Sequence, residues 1–254
     1  MRYFFILGSN PTLSLAELAA VFHDGEFSLI QNNIAILKIN YEIKANIIKK
    51  IGGTIKFGLI HDELSSSVPK DILRSIAFAV PKKSESKFYF GISFYGKAKI
   101  NIKALAMEFK KRLLQSGMNS RWVISREPTL SSVVVEQNKL TGDRGAEIVI
   151  IEFNKKLLLG KTMAVQPFKE LSFRDYGRPA RDDRSGMLPP KLAQIMINLA
   201  VFPLDKGGLG GITILDPFCG SGTVITEAML MGYQNIIGTD ISSRAISDTK
   251  KNVE

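Results

Sequence analysis

The residues with the clearest capacity for chemistry lie in the last quarter of the sequence. Residues 216–223 read Asp-Pro-Phe-Cys-Gly-Ser-Gly-Thr, between a short apolar strand predicted at 212–215 and a helix predicted at 224–231. Two glycines separated by one residue let the backbone approach a ligand closely, and the helix start presents N–H groups to it. A second predicted strand, 235–239, leads directly into Asp240. This strand–turn–helix–strand–acid pattern is typical of the nucleotide-binding half of a doubly wound sheet.

Three ligand classes compete for such a turn. A phosphate-binding loop needs a lysine after its last glycine, and no lysine follows Gly222. A dinucleotide fold needs a third glycine where this chain has Ile225. Asp216 stands four places before the Gly-x-Gly, and Asp240 can accept both ribose hydroxyls of an adenosine. The pattern therefore favours a ligand with a positive sulfonium and an amino-acid end, S-adenosylmethionine.

Several segments also resemble one enzyme family. Residues 216–223 resemble the first motif of class I methyltransferases, in the form found in enzymes that methylate exocyclic nucleobase nitrogens. Residues 187–193 resemble the segment that borders the methionine end of the cofactor, and residues 174–198 resemble tRNA guanine-N2 methyltransferases that carry a THUMP domain. Residues 52–58 resemble the end of that family's N-terminal ferredoxin-like part, and residues 130–147 resemble its late THUMP strands.

The resemblance, together with the spacing of the acids, assigns the cofactor-binding residues. They are Asp216, Pro217, Phe218, Cys219, Gly220, Ser221, Gly222, Thr223, Asp240, Ile241, Pro190 and Lys191. We expect Cys219 to pack within the turn rather than to act as a nucleophile, because no histidine lies nearby in sequence to activate it. Glu227 is expected to be structural.

The family's catalytic motif, Asp/Asn-Pro-Pro-aromatic, is missing from the sequence. The only Pro-Pro pair is Pro189-Pro190, which precedes the first strand of the cofactor unit. We therefore assign no catalytic residue. The chain is expected to be the N-terminal portion of a longer enzyme and to be inactive alone, although residues 1–170 are expected to fold.

The net charge of +10 is concentrated in the middle of the chain. Residues 61–160 carry 17 basic and 10 acidic side chains, whereas residues 1–60 and 161–254 are nearly balanced. Such a segment favours binding to a polyanion. The candidate RNA-binding residues are Lys103, Lys110, Lys111 and Arg112 on a predicted helix at 101–115, together with Arg174 and Arg178. For the last two, salt bridges with neighbouring acids such as Asp175, Asp182 and Asp183 compete with RNA contacts.

Composition excludes several other classes. One cysteine and two histidines argue against a disulfide scaffold and a zinc site, and we expect no metal. No apolar run approaches the roughly 20 residues that span a bilayer. We therefore expect a cytoplasmic protein with no membrane partner.

The pattern of elements predicts an α/β protein in four segments. By the resemblance, residues 1–60 are expected to form a ferredoxin-like region, residues 61–165 a THUMP-like RNA-binding domain, residues 166–190 a linker, and residues 191–254 the truncated start of a Rossmann-like methyltransferase sheet. Ser14 and Glu17 predict a capping box at the start of the first helix. The apolar run at 132–137 predicts a strand, and residues 31–33 a hairpin turn.

The expected function is S-adenosylmethionine-dependent methylation of the exocyclic N2 amine of a guanosine in tRNA. An rRNA or DNA amino-methyltransferase and a catalytically silent RNA-binding fragment remain the alternatives, although the THUMP-like half argues against DNA. The sequence does not specify the nucleotide, the number of methyl groups added or the oligomeric state.

Overall fold

The computed structural model describes residues 1–30, 33–65, 67–81, 87–182, 186–201 and 211–254. Backbone contacts divide the chain into two compact units. Unit 1 comprises Met1–Ile6, Glu26–Glu42 and Ile55–Val165, and unit 2 comprises Leu7–Gly25, Ile43–Thr54 and Gln166–Glu254. Both units are discontinuous in sequence, so this division does not follow the four predicted segments.

Unit 1 is built on an eight-stranded mixed sheet. Its strands are β1 (Arg2–Leu7), β2 (Glu26–Ile30), β3 (Ile34–Lys38), β4 (Thr54–Leu64), β5 (Phe88–Tyr95), β6 (Ser120–Trp122), β7 (Gly145–Phe153) and β8 (Lys156–Val165). They lie in the order β2-β3-β1-β4-β8-β7-β5-β6. The β5–β6 and β5–β7 pairs are parallel, whereas β4–β8 and β7–β8 are antiparallel. Strands from residues 1–60 and from 61–165 therefore share one sheet.

Of the α-helices in the described residues, three accompany this sheet in unit 1 and five build most of unit 2. They are α1 (Pro11–Val21), α2 (Pro69–Ser75), α3 (Ile102–Gln115), α4 (Ser132–Gln137), α5 (Phe168–Tyr176), α6 (Pro190–Val201), α7 (Thr223–Met231) and α8 (Ser243–Val253). Unit 1 packs α2 and α3 against the sheet through an apolar cluster that includes Ile72, Phe90, Phe109 and Ile148. Asn101 caps α3 by accepting the N–H of Ala104 at 2.9 Å.

Unit 2 contains the nucleotide-binding pattern predicted from the sequence. β9 (Thr213–Asp216) pairs in parallel with β10 (Asn235–Gly238). Helix α6 packs against both α1 and α7. Ile197, Ala228, Met231 and Tyr233 form the buried apolar cluster of this unit. The strand–turn–helix–strand prediction for residues 212–239 is confirmed.

Three local predictions were wrong. Helix α1 begins at Pro11 and is capped by Asn10, so Ser14 and Glu17 form no capping box. Residues 132–137 form helix α4 rather than a strand, because the Ser131 hydroxyl accepts the N–H of Val134 and caps a helical turn. The predicted linker contains helix α5, which the absence of apolar periodicity had hidden.

The composition also argued against a membrane-spanning segment and a metal site. Among the described residues, no helix is long and apolar enough to cross a membrane. No cluster of three or more metal-ligating side chains occurs there either. The predicted turn residues Gln31 and Asn32, and the acidic Asp183, lie outside the described residues.

Candidate functional site

The two acids singled out in the sequence stand at the same edge of the small parallel sheet. Asp216 ends β9 and pairs in register with Gly238, and Asp240 follows β10 by two residues. The backbone N–H of Thr239 donates to the Asp216 carbonyl at 2.9 Å, and the N–H of Cys219 donates to the Thr239 carbonyl at 2.9 Å. These bonds join the start of the glycine-rich turn, residues 216–223, to the segment that carries Asp240.

Both glycines of the turn occupy the left-handed region. The φ angle is +53° at Gly220 and +83° at Gly222, which side-chain-bearing residues rarely adopt. A Cβ at Gly222 would also lie 2.7 Å from Cγ2 of Thr249. Gly222 is the N-cap of α7 and offers no side-chain acceptor, so the first N–H groups of that helix have no side-chain cap. The N–H groups of Gly220 and Gly222 are bonded to Asp240 and to the Cys219 carbonyl, so the presentation of backbone donors to a ligand stays a prediction.

Asp240 is tied directly to this turn. Its Oδ2 accepts the N–H of Gly220 at 2.9 Å, and its Oδ1 accepts the N–H of Ser242 at 2.8 Å. The bonds from Ser242 and Gly220 hold the pKa of the Asp240 carboxyl below its usual value, so it is ionised at neutral pH. Each oxygen keeps a lone pair, because a carboxylate offers about four acceptor sites. Asp240 can thus bind two further hydroxyl groups.

The remaining predicted cofactor residues differ in their solvent exposure. Phe218 is 85% exposed and Ile241 fully exposed, so both offer apolar surface beside the acids. Pro217 and Lys191 are also exposed, and Pro190 is buried at the start of α6. The turn residues Cys219, Ser221 and Thr223 are buried. Cys219 lies 3.7 Å from Oγ1 of Thr249 and packs inside the turn, as predicted.

Arg174 and Arg178 engage partners within unit 2. Arg174 donates from Nε and Nη2 to the Glu227 carboxylate at 2.5 and 3.1 Å. Arg178 donates from Nη1 to Oγ1 of Thr223 at 2.8 Å and to Oγ of Ser221 at 3.4 Å. Burial lowers the pKa of Arg178, opposed by Asp175 and Glu227, and this guanidinium remains charged. RNA binding by either arginine stays a prediction, and their contacts to α7 were not foreseen.

A buried polar network beneath the turn was also missed. Gln194 donates from Nε2 to Glu227 at 2.8 Å, and Asn198 donates from Nδ2 to Glu17 at 2.8 Å. Gln194 and Asn198 are four residues apart on α6 and so share one helix face, a spacing that could have identified the pair. Glu227 and Glu17 are almost completely buried. Glu227 is structural, as predicted.

Glu17 links the N-terminal part of unit 2 to α6. Its carboxylate accepts the N–H groups of Gly52 and Gly53, both at 2.8 Å. Burial raises the pKa of the Glu17 carboxyl, while the bonds from Gly53, Asn198 and Gly52 oppose that shift. A Cβ at Gly52 would lie 2.0 Å from the Lys191 carbonyl oxygen, so only glycine fits against the start of α6. These contacts explain why residues 7–25 belong to unit 2.

The predicted basic helix of unit 1 has the expected form. Lys103, Lys110 and Lys111 are exposed on α3, opposite the buried Leu105, Phe109 and Leu113. Arg112 is half-buried and lies 3.4 Å from the Glu108 carboxylate. The three lysines therefore form an accessible basic surface, and RNA binding there stays a prediction.

Comparisons with known proteins agree with the resemblance. Residues 152–251 match a family model described as DNA methylase. Over 132 residues the chain is 32% identical to the tRNA (guanine(10)-N2)-dimethyltransferase of Methanothermobacter thermautotrophicus, covering 50% of this chain and 37% of that protein. The enzyme of the same name from Methanocaldococcus jannaschii is 35% identical over 103 residues, covering 39% and 27%. The chain therefore aligns with well under half the length of these relatives.

A solved structure supports the fold. The crystal structure of TrmN from Thermus thermophilus matches with a TM-score of 0.54 and 16% identity, covering 99% of this chain and 69% of that one. This likeness confirms the α/β fold class. The sequence matches confirm the predicted resemblance to tRNA guanine-N2 methyltransferases.

Proposed function

We propose that this chain carries the cofactor-binding and RNA-binding parts of an S-adenosylmethionine-dependent methyltransferase that acts on the exocyclic N2 amine of a guanosine in tRNA. One observation carries the proposal. The glycine-rich turn is bonded to Asp240 through Gly220, inside the segment 152–251 that matches a methylase family. The chain also has relatives named for guanine-N2 methylation. The substrate class is taken from the names of those relatives.

The residues of the site fit S-adenosylmethionine. Asp240 is partly exposed and keeps lone pairs for the two ribose hydroxyls, while Asp216 offers a carboxylate at the end of the neighbouring strand. No lysine follows Gly222, which disfavours a triphosphate. The exposed side chains of Phe218 and Ile241 supply apolar contact for an adenine ring. When bound, the cofactor supplies an electrophilic methyl group on a sulfonium sulfur.

This chain's own residues would bind and orient rather than carry out acid–base chemistry. The turn and Asp240 hold the cofactor, and Pro190 and Lys191, at the start of α6, are assigned to its methionine end by the resemblance. Methyl transfer to an amine needs the donor carbon and the acceptor nitrogen held in line. We assign no acceptor-binding residue, because the 254 residues contain no Asp/Asn-Pro-Pro-aromatic motif.

Unit 1 would capture the RNA. It contains the strongly basic segment 61–160, and its helix α3 exposes three lysines. Lysines on one helix face neutralise phosphates without reading sequence. We propose that this unit acts as the THUMP-like module and that the nucleotide is selected elsewhere.

A DNA amino-methyltransferase is the second candidate, favoured by the description of the family model. An rRNA substrate and a catalytically silent RNA-binding fragment complete the set. Incubation of the full-length protein that carries this chain with radiolabelled S-adenosylmethionine and either tRNA, rRNA or duplex DNA separates these functions. We expect incorporation into tRNA and none into DNA. Labelled DNA with unlabelled tRNA would overturn the proposal.

A further inference from the structure

Arg178 contacts the glycine-rich turn, although it is not among the residues assigned to cofactor binding. Arg178 follows α5 and donates from Nε to the Arg174 carbonyl at 2.9 Å, which fixes the plane of its guanidinium. From Nη1 it reaches Oγ1 of Thr223 at 2.8 Å. A guanidinium held at both ends retains little rotamer freedom, so it fixes whatever it bonds.

The segment that contains Arg174 and Arg178 bonds to α7 at two positions. Thr223 and Glu227 are four residues apart and lie on one face of α7, where Arg178 contacts the first and Arg174 the second. Arg174 and Arg178 are themselves four residues apart. The two arginines therefore contact successive turns at the start of α7, and Arg178 also contacts the glycine-rich turn.

Asn252 on α8 holds the turn from another side. Its Nδ2 donates to the Ser221 carbonyl at 2.8 Å and to the Ala180 carbonyl at 2.9 Å, and its Oδ1 accepts the Ala180 N–H at 2.9 Å. The segment 178–180 thus bonds Ser221 and Thr223 directly and braces Ser221 again through Asn252.

We propose that Arg178 is a positioning residue that, through Thr223 and Ser221, holds the glycine-rich turn in the conformation that binds the cofactor. The proposal rests on the proposed function, because it takes the ligand of the turn from there. Arg178 acts before the ligand arrives: it fixes the start of α7, and Gly220 then directs its N–H to Asp240. Its removal frees the glycine-rich turn to sample other conformations, because glycine has a wide conformational range.

The first measurement needs no cofactor. Hydrogen exchange followed by mass spectrometry on the full chain reports the backbone protection of residues 218–226 in the parent, in Arg178→Met and in Arg181→Met. Arg181 is the matched control, because it lies on the same segment and donates to the Tyr176 carbonyl instead of the turn. We expect faster exchange at 218–226 in Arg178→Met and parent-like exchange in Arg181→Met. Unchanged exchange in Arg178→Met would overturn the proposal.

The second measurement is S-adenosylmethionine affinity by calorimetry. Losing one charge-assisted hydrogen bond should weaken binding about tenfold in Arg178→Met. Thr223→Val removes the same bond without removing a charge, so it should weaken binding by a similar factor. The double variant should lose little more than either single one, and Arg178→Lys should recover part of the loss. Additive losses would show that Arg178 does not act through Thr223 and would overturn the proposal. A lowered melting temperature with parent affinity would assign Arg178 a purely structural role.

The two measurements keep the proposals separate. A parent chain that does not bind S-adenosylmethionine would overturn the proposed function, and the exchange experiment would still decide whether Arg178 holds the turn. Should Arg178→Met fail to fold, Thr223→Val tests the same bond from its other end.

Discussion

Arg174 and Glu227 form a bidentate ion pair, and the Glu227 carboxylate is almost completely buried. The Nε–Oε1 distance is 2.5 Å and the Nη2–Oε2 distance is 3.1 Å, although 53 residues separate the partners in sequence. Gln194 donates a third hydrogen bond to the same carboxylate at 2.8 Å. Helix α5, which had no visible sequence pattern, is thus attached to the helix that follows the glycine-rich turn.

Removing one partner of this pair should be costly. Arg174→Met leaves the buried Glu227 charge without its cation, and we expect the free energy of unfolding to fall by about 3 kcal/mol. Urea unfolding measures this change. The double variant Arg174→Met/Glu227→Leu should recover much of the loss, because no buried charge remains. Equal losses in the single and double variants would show that packing, and not charge, dominates at this position.

Asp240 should control cofactor affinity. Asp240→Ala removes the acceptor assigned to the ribose and releases the Gly220 N–H, so S-adenosylmethionine affinity measured by calorimetry should fall by at least about tenfold. Asp240→Asn keeps the shape and one acceptor oxygen, and it should lose less. Parent-like affinity in Asp240→Ala would mean that this residue only accepts the Gly220 and Ser242 N–H groups.

Glu63 should make part of the stability depend on pH. Hydrogen bonds from Lys156 and Arg2 lower the pKa of the Glu63 carboxyl. A lowered folded-state pKa stabilises the protein above the unfolded value near 4.5, and this contribution disappears as pH falls through the folded value. Glu63→Gln should therefore lower the free energy of unfolding by about 0.5–1 kcal/mol at pH 7, the amount typical of partly exposed pairs, and by almost nothing near pH 3.

Chemical denaturation at both pH values measures the effect of Glu63→Gln. Lys38→Gln is the control, because it removes an exposed pair with Glu26 from the same sheet without touching Glu63. A loss in Glu63→Gln that is equal at the two pH values would contradict the ionic origin of the effect.

The exposed lysines of α3 should set the salt dependence of RNA binding. Changing Lys103, Lys110 and Lys111 together to glutamine should weaken tRNA binding and reduce the slope of log affinity against log salt by about 2–3. Filter binding across a salt series measures this slope. The double variant Lys250→Gln/Lys251→Gln on α8 serves as the charge control. A parent slope in the α3 variant would place the RNA elsewhere.

The RNA-binding measurements should use the whole chain rather than a fragment cut at residue 170. Residues 1–170 were expected to fold alone, but α1 packs on α6 and Glu17 bonds Asn198. A cut at residue 170 would remove the helix that covers α1 and would leave the buried Glu17 carboxylate without one of its donors.

Sequence patterns identified the parts of the site that depend on local chemistry. Gly220, Gly222 and Asp240 were identified because their conformations and spacing are dictated within 25 residues. The buried bonds that join the helices of unit 2 were not identified, because Glu17–Asn198 and Arg174–Glu227 join residues far apart in the chain. Residues 132–137 show the opposite failure: three consecutive valines favour a strand, while the serine cap and the burial of Val135 favour a helix.

The identity of the methylated nucleoside tests the central proposal most directly. The full-length protein that carries this chain is incubated with unmodified tRNA and S-adenosylmethionine, and the RNA is digested to nucleosides for mass spectrometry. The proposal predicts that guanosine methylated at N2 appears, and that a transcript with inosine in place of guanosine, which lacks that amine, gains no methyl group. Methylation of adenosine at N6 or cytidine at N4, with guanosine unmodified, would contradict it.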